Sequence, residues 1–490
     1  MNEEPIMVNN TTLVPFRPIF EALGFKVGWD NQTRTVTGKK EGLEIRLTLG
    51  SKTALVNGKP VQLAQAPAIV SGKTFVPLRF VSESSGKTTK WYGNTKTIQV
   101  GTQFDALAKI AHGMNPNEVE RILGKPPIRI GDMEWDEYWV YKKNNNEYTV
   151  VAYHNAFVDG VSVFNDANDP PVYGRTKRMI IDRFVEPKLK ATSYSNAYVK
   201  EPSYSAPYAA GEFHPGFLEH SLRRANFYRY LSGVPDDLVL DAELSRRAQH
   251  GAVLVAVSGY SHRPSQPRDM SDEFYEIASD ATMSSSLCNC GTVQAVDEFM
   301  EDRGVLNVDS VGHRRWVLSP KMKKTGFGLA FRPRDGEVFS TMYVLDQSRQ
   351  PKWDYDYIPY PGKGYFPLGF LDYNTPWSVM LNPDKFEEPV LSEVTVELER
   401  LNDGKVWRLD QSDSNRTLNF KYLTVDTVLS GSTYAVIFHL GDELSREGFG
   451  DGDVYEVRIH GLKDIHQNPV DIQYQVHFFG VAGGFFRDWT

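Results

Sequence analysis

Leu240-Asp241-Ala242-Glu243-Leu244-Ser245-Arg246-Arg247-Ala248-Gln249-His250-Gly251-Ala252-Val253-Leu254-Val255-Ala256-Val257 is the stretch on which the fold turns. Leu240, Leu244, Ala248, Ala252 and Val255 recur at helical spacing and mark one apolar face. Asp236 or Asp237 stands ready to cap this helix or its lead-in. Upstream, Leu218–Leu231 shows the same spacing. Downstream, Val293–Arg303 reads as a third helix, and the acid-rich run Asp269 to Glu276 as a solvated helix face. Thr325–Arg332 and Val338–Leu345 then read as strands joined by the turn Pro333-Arg334-Asp335-Gly336.

Around this stretch lies a chain of 490 residues. At roughly 150 residues per domain that length predicts about three domains. Hydrophobic residues are 41% and charged residues 24%, the balance of a globular chain rather than a disordered or fibrous one. With 54 Lys+Arg against 62 Asp+Glu the formal charge is -8, which argues against a general nucleic-acid binder. The longest apolar run, Gly251 to Val257, is too short to span a bilayer. The 2 cysteines lie together in Cys288-Asn289-Cys290, a spacing expected to be too tight for an ordinary bridge.

The N-terminus carries an internal repeat. Pro5–Val36 matches Pro67–Ile98 at a constant offset, with identities such as Val14/Val76, Pro15/Pro77, Arg17/Arg79, Gly24/Gly86 and Trp29/Trp91. Each copy reads strand, Val-Pro, short helix, Gly, strand. Neither copy is large enough to bury a core alone, so the two are expected to pack together. Arg17 and Arg79 are either ligands for an acidic group or structural arginines tying helix to loop. Copy two is led in by a hairpin over Leu43–Ala66 with Asn57-Gly58 at its turn, and copy one has only Met1–Glu4 before Pro5. The comparison predicts a natural product that begins upstream, with a lead of roughly 20 residues and a signal peptide.

These repeat motifs resemble the copper amine oxidase N-terminal-like domain of secreted proteins from Gram-positive bacteria, over residues 1–101. The resemblance implies a non-catalytic stalk or wall-proximal module. No metal set accompanies it, because the first histidine of the chain is His112.

In residues 102–168 a short helix, Asn117–Leu123, is followed by strand-like runs Glu137–Tyr141, Tyr148–His154 and Phe157–Phe164. This small α+β module resembles the domain that precedes CAP domains in bacterial secreted proteins. Residues 169–210, rich in Pro, Tyr, Ser and Ala, read as an extended linker with a short helix around Thr176–Phe184.

Asn226-Phe227-Tyr228-Arg229, Gly233, Asp241, Leu244, Ala248-Gln249 and Ser261-His262, followed by Gly312-His313 and Thr325-Gly326-Phe327-Gly328, resemble a CAP (SCP) domain. The match spans residues 211–348. The superfamily groups cysteine-rich secretory, antigen 5 and pathogenesis-related proteins, and it implies an α-β-α sandwich. Many members gather two His and two Glu in a central cleft that can hold a divalent metal. His262 and His313 match the two histidines; Cys288 stands at the first glutamate position and Asp302 at the second. The set is therefore degraded. A Zn²⁺ site of His262, His313 and Cys288 or Cys290 is the sharper expectation, and a hydrogen-bonded histidine pair the plainer one. Arg314, beside His313, is a candidate for a ligand carboxylate or phosphate. Ser284-Ser285-Ser286 lies between the histidines, but no nucleophile elbow or zinc-helix motif accompanies it.

Residues 360–490 show seven strand candidates, Trp377–Leu381, Val394–Leu401, Val406–Leu409, Leu418–Phe420, Thr433–Leu440, Tyr455–His460 and Gln473–Phe479. Their spacing predicts an Ig-like β-sandwich, with Pro361–Pro367 as loop. The expectation is thus a multidomain α+β protein: β-rich stalk repeats, a small α+β module, a CAP sandwich and a C-terminal β-sandwich. It would be extracellular or at the cell surface, binding a lipid, peptide or cell-wall-derived ligand in the CAP cleft. Two rivals stand beside it: a metal- or His-assisted hydrolase, and a structural wall or spore-coat scaffold with a vestigial cleft.

Overall fold

The computed structural model describes residues 5–8, 11–70, 72–85, 88–92, 97–101, 109–131, 136–144, 147–166, 169–185, 197–304, 307–413, 420–445 and 448–481. The expected strand Leu418–Phe420, except for Phe420, and the lead Met1–Glu4 lie outside them. The chain forms two compact units, Met1–Pro126 and Pro127–Thr490.

In the first unit the two repeat copies meet at their Val-Pro strands. Thr11–Pro15 pairs antiparallel with Lys73–Pro77, with Val14 opposite Val76, at the centre of a four-stranded sheet. Each strand runs directly into a short helix, Phe16–Ala22 or Leu78–Ser84, and proline fits this boundary because its missing N–H would be unsatisfied there anyway. Gly24 closes the first helix at φ +79, while the Phe25 N–H reaches back 2.9 Å to the Phe20 carbonyl. A five-stranded meander follows, from Lys26–Asp30 to Lys59–Gln62, and its last turn is Asn57-Gly58 with both residues at positive φ. Val14, Val76, Phe20, Val36 and Val81 form the shared core. Arg17 is exposed and, among the described residues, forms its ion pair with Glu21 of its own helix at 3.7 Å.

The second unit opens with a four-stranded antiparallel sheet from Ile128–Gly131 to Phe157–Asn165. Within the stretch expected to be a linker, the expected short helix is present as Lys177–Val185 and buries Ile180, Ile181 and Phe184 in the main core, and the Tyr198 hydroxyl donates to the Leu329 carbonyl. The central layer is a three-stranded sheet in the order Ser285–Cys288, Val338–Tyr343, Phe327–Phe331. Helices Ala242–Ser258 and Asp272–Met283 pack together, the former lying on the sheet, and helices Thr292–Glu301 and Glu219–Leu231 form a second such pair. Asp241, not Asp236 or Asp237, caps the Ala242 helix, accepting from the Glu243 and Leu244 N–H groups. Asp237 is instead held by Lys323 and Arg349. Gly326 and Gly328 are required by contact. A Cβ at Gly326 would sit 2.2 Å from the Ser245 nitrogen, and one at Gly328 2.4 Å from the Ala248 carbonyl oxygen.

Two further sheets complete the unit. One is ordered Tyr357–Tyr360, Trp377–Leu381, Tyr434–Leu440, Lys421–Asp426; the other Gly364–Pro367, Pro469–Phe479, Val454–Lys463, Thr395–Arg400, Lys405–Leu409. Trp377 of the first reaches Tyr455 and Phe478 of the second at 6.0 and 6.2 Å between ring centroids, so the sheets face each other across an aromatic core. Gly364–Pro367, read as loop from its Gly and Pro content, is a strand pairing in parallel with Val476–Phe479. Its prolines sit outside or at the end of the pairing, where no donor is needed.

Candidate functional site

His313 and Asp302 meet through two backbone reversals. Helix Thr292–Glu301 ends at Asp302, which takes left-handed φ/ψ of 49° and 37°. Val311 precedes the short helix Gly312–Val317 at 40° and 46°. Asp tolerates this region, whereas a β-branched valine there is a true outlier held by its surroundings. The result is a His313 Nδ1 to Asp302 Oδ1 distance of 3.0 Å, with Asp302 Oδ2 accepting the Arg314 N–H at 3.2 Å. The Asn307 amide lies 3.2 Å from the same Nδ1, and Phe299 packs on the imidazole at 5.3 Å. The Asp302 side chain is fully buried, and that of His313 is 20% exposed. Burial disfavours charge on His313, but the hydrogen bond and charge of Asp302 outweigh it, and the imidazole pKa is raised. With Nδ1–H committed to the carboxylate, Nε2 is the nitrogen left for a ligand or a proton.

His262 is exposed and anchored in the same style. Its Nδ1 is 2.8 Å from the Thr282 carbonyl, and the Thr282 hydroxyl donates back to the His262 carbonyl at 3.0 Å. Tyr260, two residues earlier, donates to the Leu287 carbonyl at 2.7 Å. Burial raises the Tyr260 pKa, and the charge of Asp302 adds to the rise. Tyr260 and Asn307 carried no motif signal in the sequence, because their roles depend on which loops the fold brings side by side. The Ser285 and Ser286 hydroxyls are buried in the strand Ser285–Cys288 and have no hydrogen-bond partner among the described residues.

Two expected site residues do other work. Cys288 is bonded to Cys290 in a disulfide, so the tight spacing does close and no thiolate is offered to a metal. Among the described residues no group of three or more His, Cys, Asp or Glu converges on a cation position. The residues present therefore do not fit the expected Zn²⁺ site of His262, His313 and Cys288 or Cys290. Arg314 faces inward rather than toward a ligand. It is fully buried and donates to the Met300, Glu301 and Pro376 carbonyls and the Ser378 hydroxyl. Arg315 is equally buried, pairs with Asp426 at 3.2 Å and donates to the Ser310, Val428 and Thr433 carbonyls.

Three comparisons bear on these parts. No curated protein sequence matches the chain. Among solved structures, it is similar to an extracellular protein containing an SCP domain from Bacillus anthracis str. Ames, at 14% identity over 47% of this chain and 93% of that one, with a TM-score of 0.24. It is also similar to a cysteine-rich secretory protein from Staphylococcus aureus subsp. aureus Mu50, at 12% identity over 47% and 92%, with a TM-score of 0.23. Residues 1–100 match the family model of the copper amine oxidase N-terminal domain, the module that the paired Val-Pro repeat led us to expect.

Proposed function

We propose that this chain is an extracellular protein built around a CAP-type module at residues 211–348, which binds a lipid, peptide or cell-wall-derived ligand at the His313 cleft. The observation that carries this reading is the buried Asp302 carboxylate holding His313 through Nδ1. A buried carboxylate and a valine held in the left-handed region are a costly way to place an imidazole that has no further role. His262, anchored through its own Nδ1, supplies a second oriented imidazole. The sequence motifs Asn226 to Arg229, Ser261-His262 and Gly312-His313 support the CAP assignment, and the bridged cysteines support an oxidising compartment. Residues 1–101 would act as the stalk, 102–168 as the CAP-associated module and 360–490 as an Ig-like sandwich.

A second reading, His-assisted hydrolysis of peptide or wall material, is favoured by the same pair, since an Asp-oriented imidazole is the working half of a general base. Isothermal titration of soluble muropeptides and short-chain lipids into the full chain and into His313→Gln tests the proposal. Binding by the parent and at least tenfold weaker binding by the variant is expected. Equal affinity in both would remove the cleft from consideration. Turnover of muropeptide during the titration, absent in the variant, would select the hydrolytic reading.

A further inference from the structure

The Cys288–Cys290 bridge is placed where it contributes little to holding the fold. It closes a loop of only three residues, so it removes little freedom from the unfolded chain. Each cysteine is also anchored without it. Cys288 is the last residue of the strand Ser285–Cys288 and sits in register with Ser340 of the neighbouring strand. Cys290 precedes Gly291, the N-cap of the ten-residue helix Thr292–Glu301, and its carbonyl accepts the Ser340 hydroxyl at 2.5 Å. One residue, Ser340, thus clamps both cysteines from the adjacent strand.

Their exposure is unequal. Cys288 is half-buried, Asn289 between them is exposed, and Cys290 is buried at 9%. Of the two, Cys288 is the residue more open to an incoming thiolate. The sulfur then released belongs to Cys290, at the positive end of the helix, where a thiolate leaving group is favoured. Accessible attacked sulfur, stabilised leaving sulfur and a rigid frame on both sides are the requirements of thiol–disulfide exchange.

From this arrangement we propose that Cys288–Cys290 is a thiol–disulfide exchange site that oxidises a dithiol. The first substrate thiolate attacks Cys288 Sγ, forming a substrate–Cys288 mixed disulfide and breaking the bond to Cys290, whose thiolate takes a proton from water. The second substrate thiolate attacks the substrate sulfur of that mixed disulfide and expels Cys288 as thiolate. Two electrons pass from the dithiol to the bridge. The substrate leaves as a disulfide and the chain holds a dithiol, one round per chain.

The test uses the full chain under native conditions at pH 7, with dithiothreitol in one arm and a reduced two-cysteine peptide in the other. Alkylation and mass spectrometry read the thiols, and circular dichroism reads the fold. The site exists if the bridge converts to two thiols with an unchanged dichroism spectrum and Cys288 is alkylated roughly tenfold faster than Cys290. Oxidation of the peptide as well assigns polypeptide dithiols as substrate; oxidation of dithiothreitol alone assigns small ones. Cys290→Ser, given oxidised glutathione, should trap one glutathione on Cys288. A bridge that survives excess dithiothreitol until denaturant is added, or whose reduction unfolds the chain, would show a structural staple and overturn the proposal.

Discussion

Replacing Arg314 by leucine separates a structural arginine from a ligand-binding one. The guanidinium makes four hydrogen bonds at 2.6 to 3.0 Å, to the Met300, Glu301 and Pro376 carbonyls and the Ser378 hydroxyl. It also lies 4.5 Å from the centre of the Tyr360 ring. Met300 and Glu301 belong to the helix that carries Asp302, while Pro376 and Ser378 belong to the C-terminal sheets, so this one side chain joins the two. Leucine refills much of the volume but strands three buried carbonyls. At about 1–3 kcal/mol for each unsatisfied acceptor, less what apolar packing returns, the loss is about 3–5 kcal/mol. With a urea m-value of about 3 kcal/mol/M, the midpoint should fall by more than about 1 M. Urea unfolding followed by tryptophan fluorescence reads this directly. Arg314→Lys should recover little, because an ammonium cannot reproduce the planar fork. An unmoved midpoint with lost muropeptide or lipid binding would refute the reasoning and return Arg314 to the ligand.

Three further outcomes are expected. In the parent, His313 titrates above an ordinary imidazole, so its contribution to stability is complete below the unfolded-state pKa of about 6.5 and is lost as pH rises through the raised folded value. Asp302→Asn leaves burial dominant, so His313 should titrate below about 6.5 in an imidazole NMR titration; an unchanged titration would show that Asp302 does not govern it. The Glu301 carboxyl is pushed up to about 7 by burial, with Arg303 opposing and Glu298 adding. Its folded pKa is above the unfolded one, so it costs stability as pH rises from 4.5 through 7. Glu301→Gln should therefore stabilise the chain at pH 8, by up to about 3 kcal/mol, and leave pH 4 unchanged, as read by urea unfolding at both. Gly431 has φ +59, and a Cβ there would lie 1.9 Å from the Arg315 carbonyl oxygen. Gly431→Ala should cost about 2 kcal/mol or more, visible as a lower thermal midpoint; an equal midpoint would mean the Arg315 loop yields freely.

The parts of the fold that were legible in the sequence are those governed by local chemistry. Asn57-Gly58 announced a hairpin, Gly24 a helix end, and Trp377–Leu381 a strand with its exact limits. The offset repeat announced a paired module because two copies of one pattern share one core. What escaped depends on long-range pairing. Gly364–Pro367 is a strand only because Val476–Phe479 lies alongside it. The short helix expected around Thr176–Phe184 is there as Lys177–Val185; that it packs into the main core was hidden by its Pro- and Ser-rich flanks, which read as an extended connector. At the candidate site, His262, His313 and Asp302 were visible as residue types in order. That Asp302 binds His313 was not, because it follows from left-handed turns at Asp302 and Val311, where no glycine marks the reversal. Arg314 misled for a related reason, since sequence cannot show which way an arginine beside a histidine points. Cys288 misled because its spacing from Cys290 reads as too tight for an ordinary bridge, whereas the strand end and the helix lead-in bring the two sulfurs together.

Imidazole NMR of the full chain, with and without a saturating muropeptide or short-chain lipid, tests the central claim most directly. The account requires that the His313 Nε2 resonance move on ligand addition while Nδ1 keeps the signature of its bond to Asp302, and that Asp302→Asn weaken the ligand. Unperturbed His313 resonances beside a ligand that binds elsewhere would contradict it.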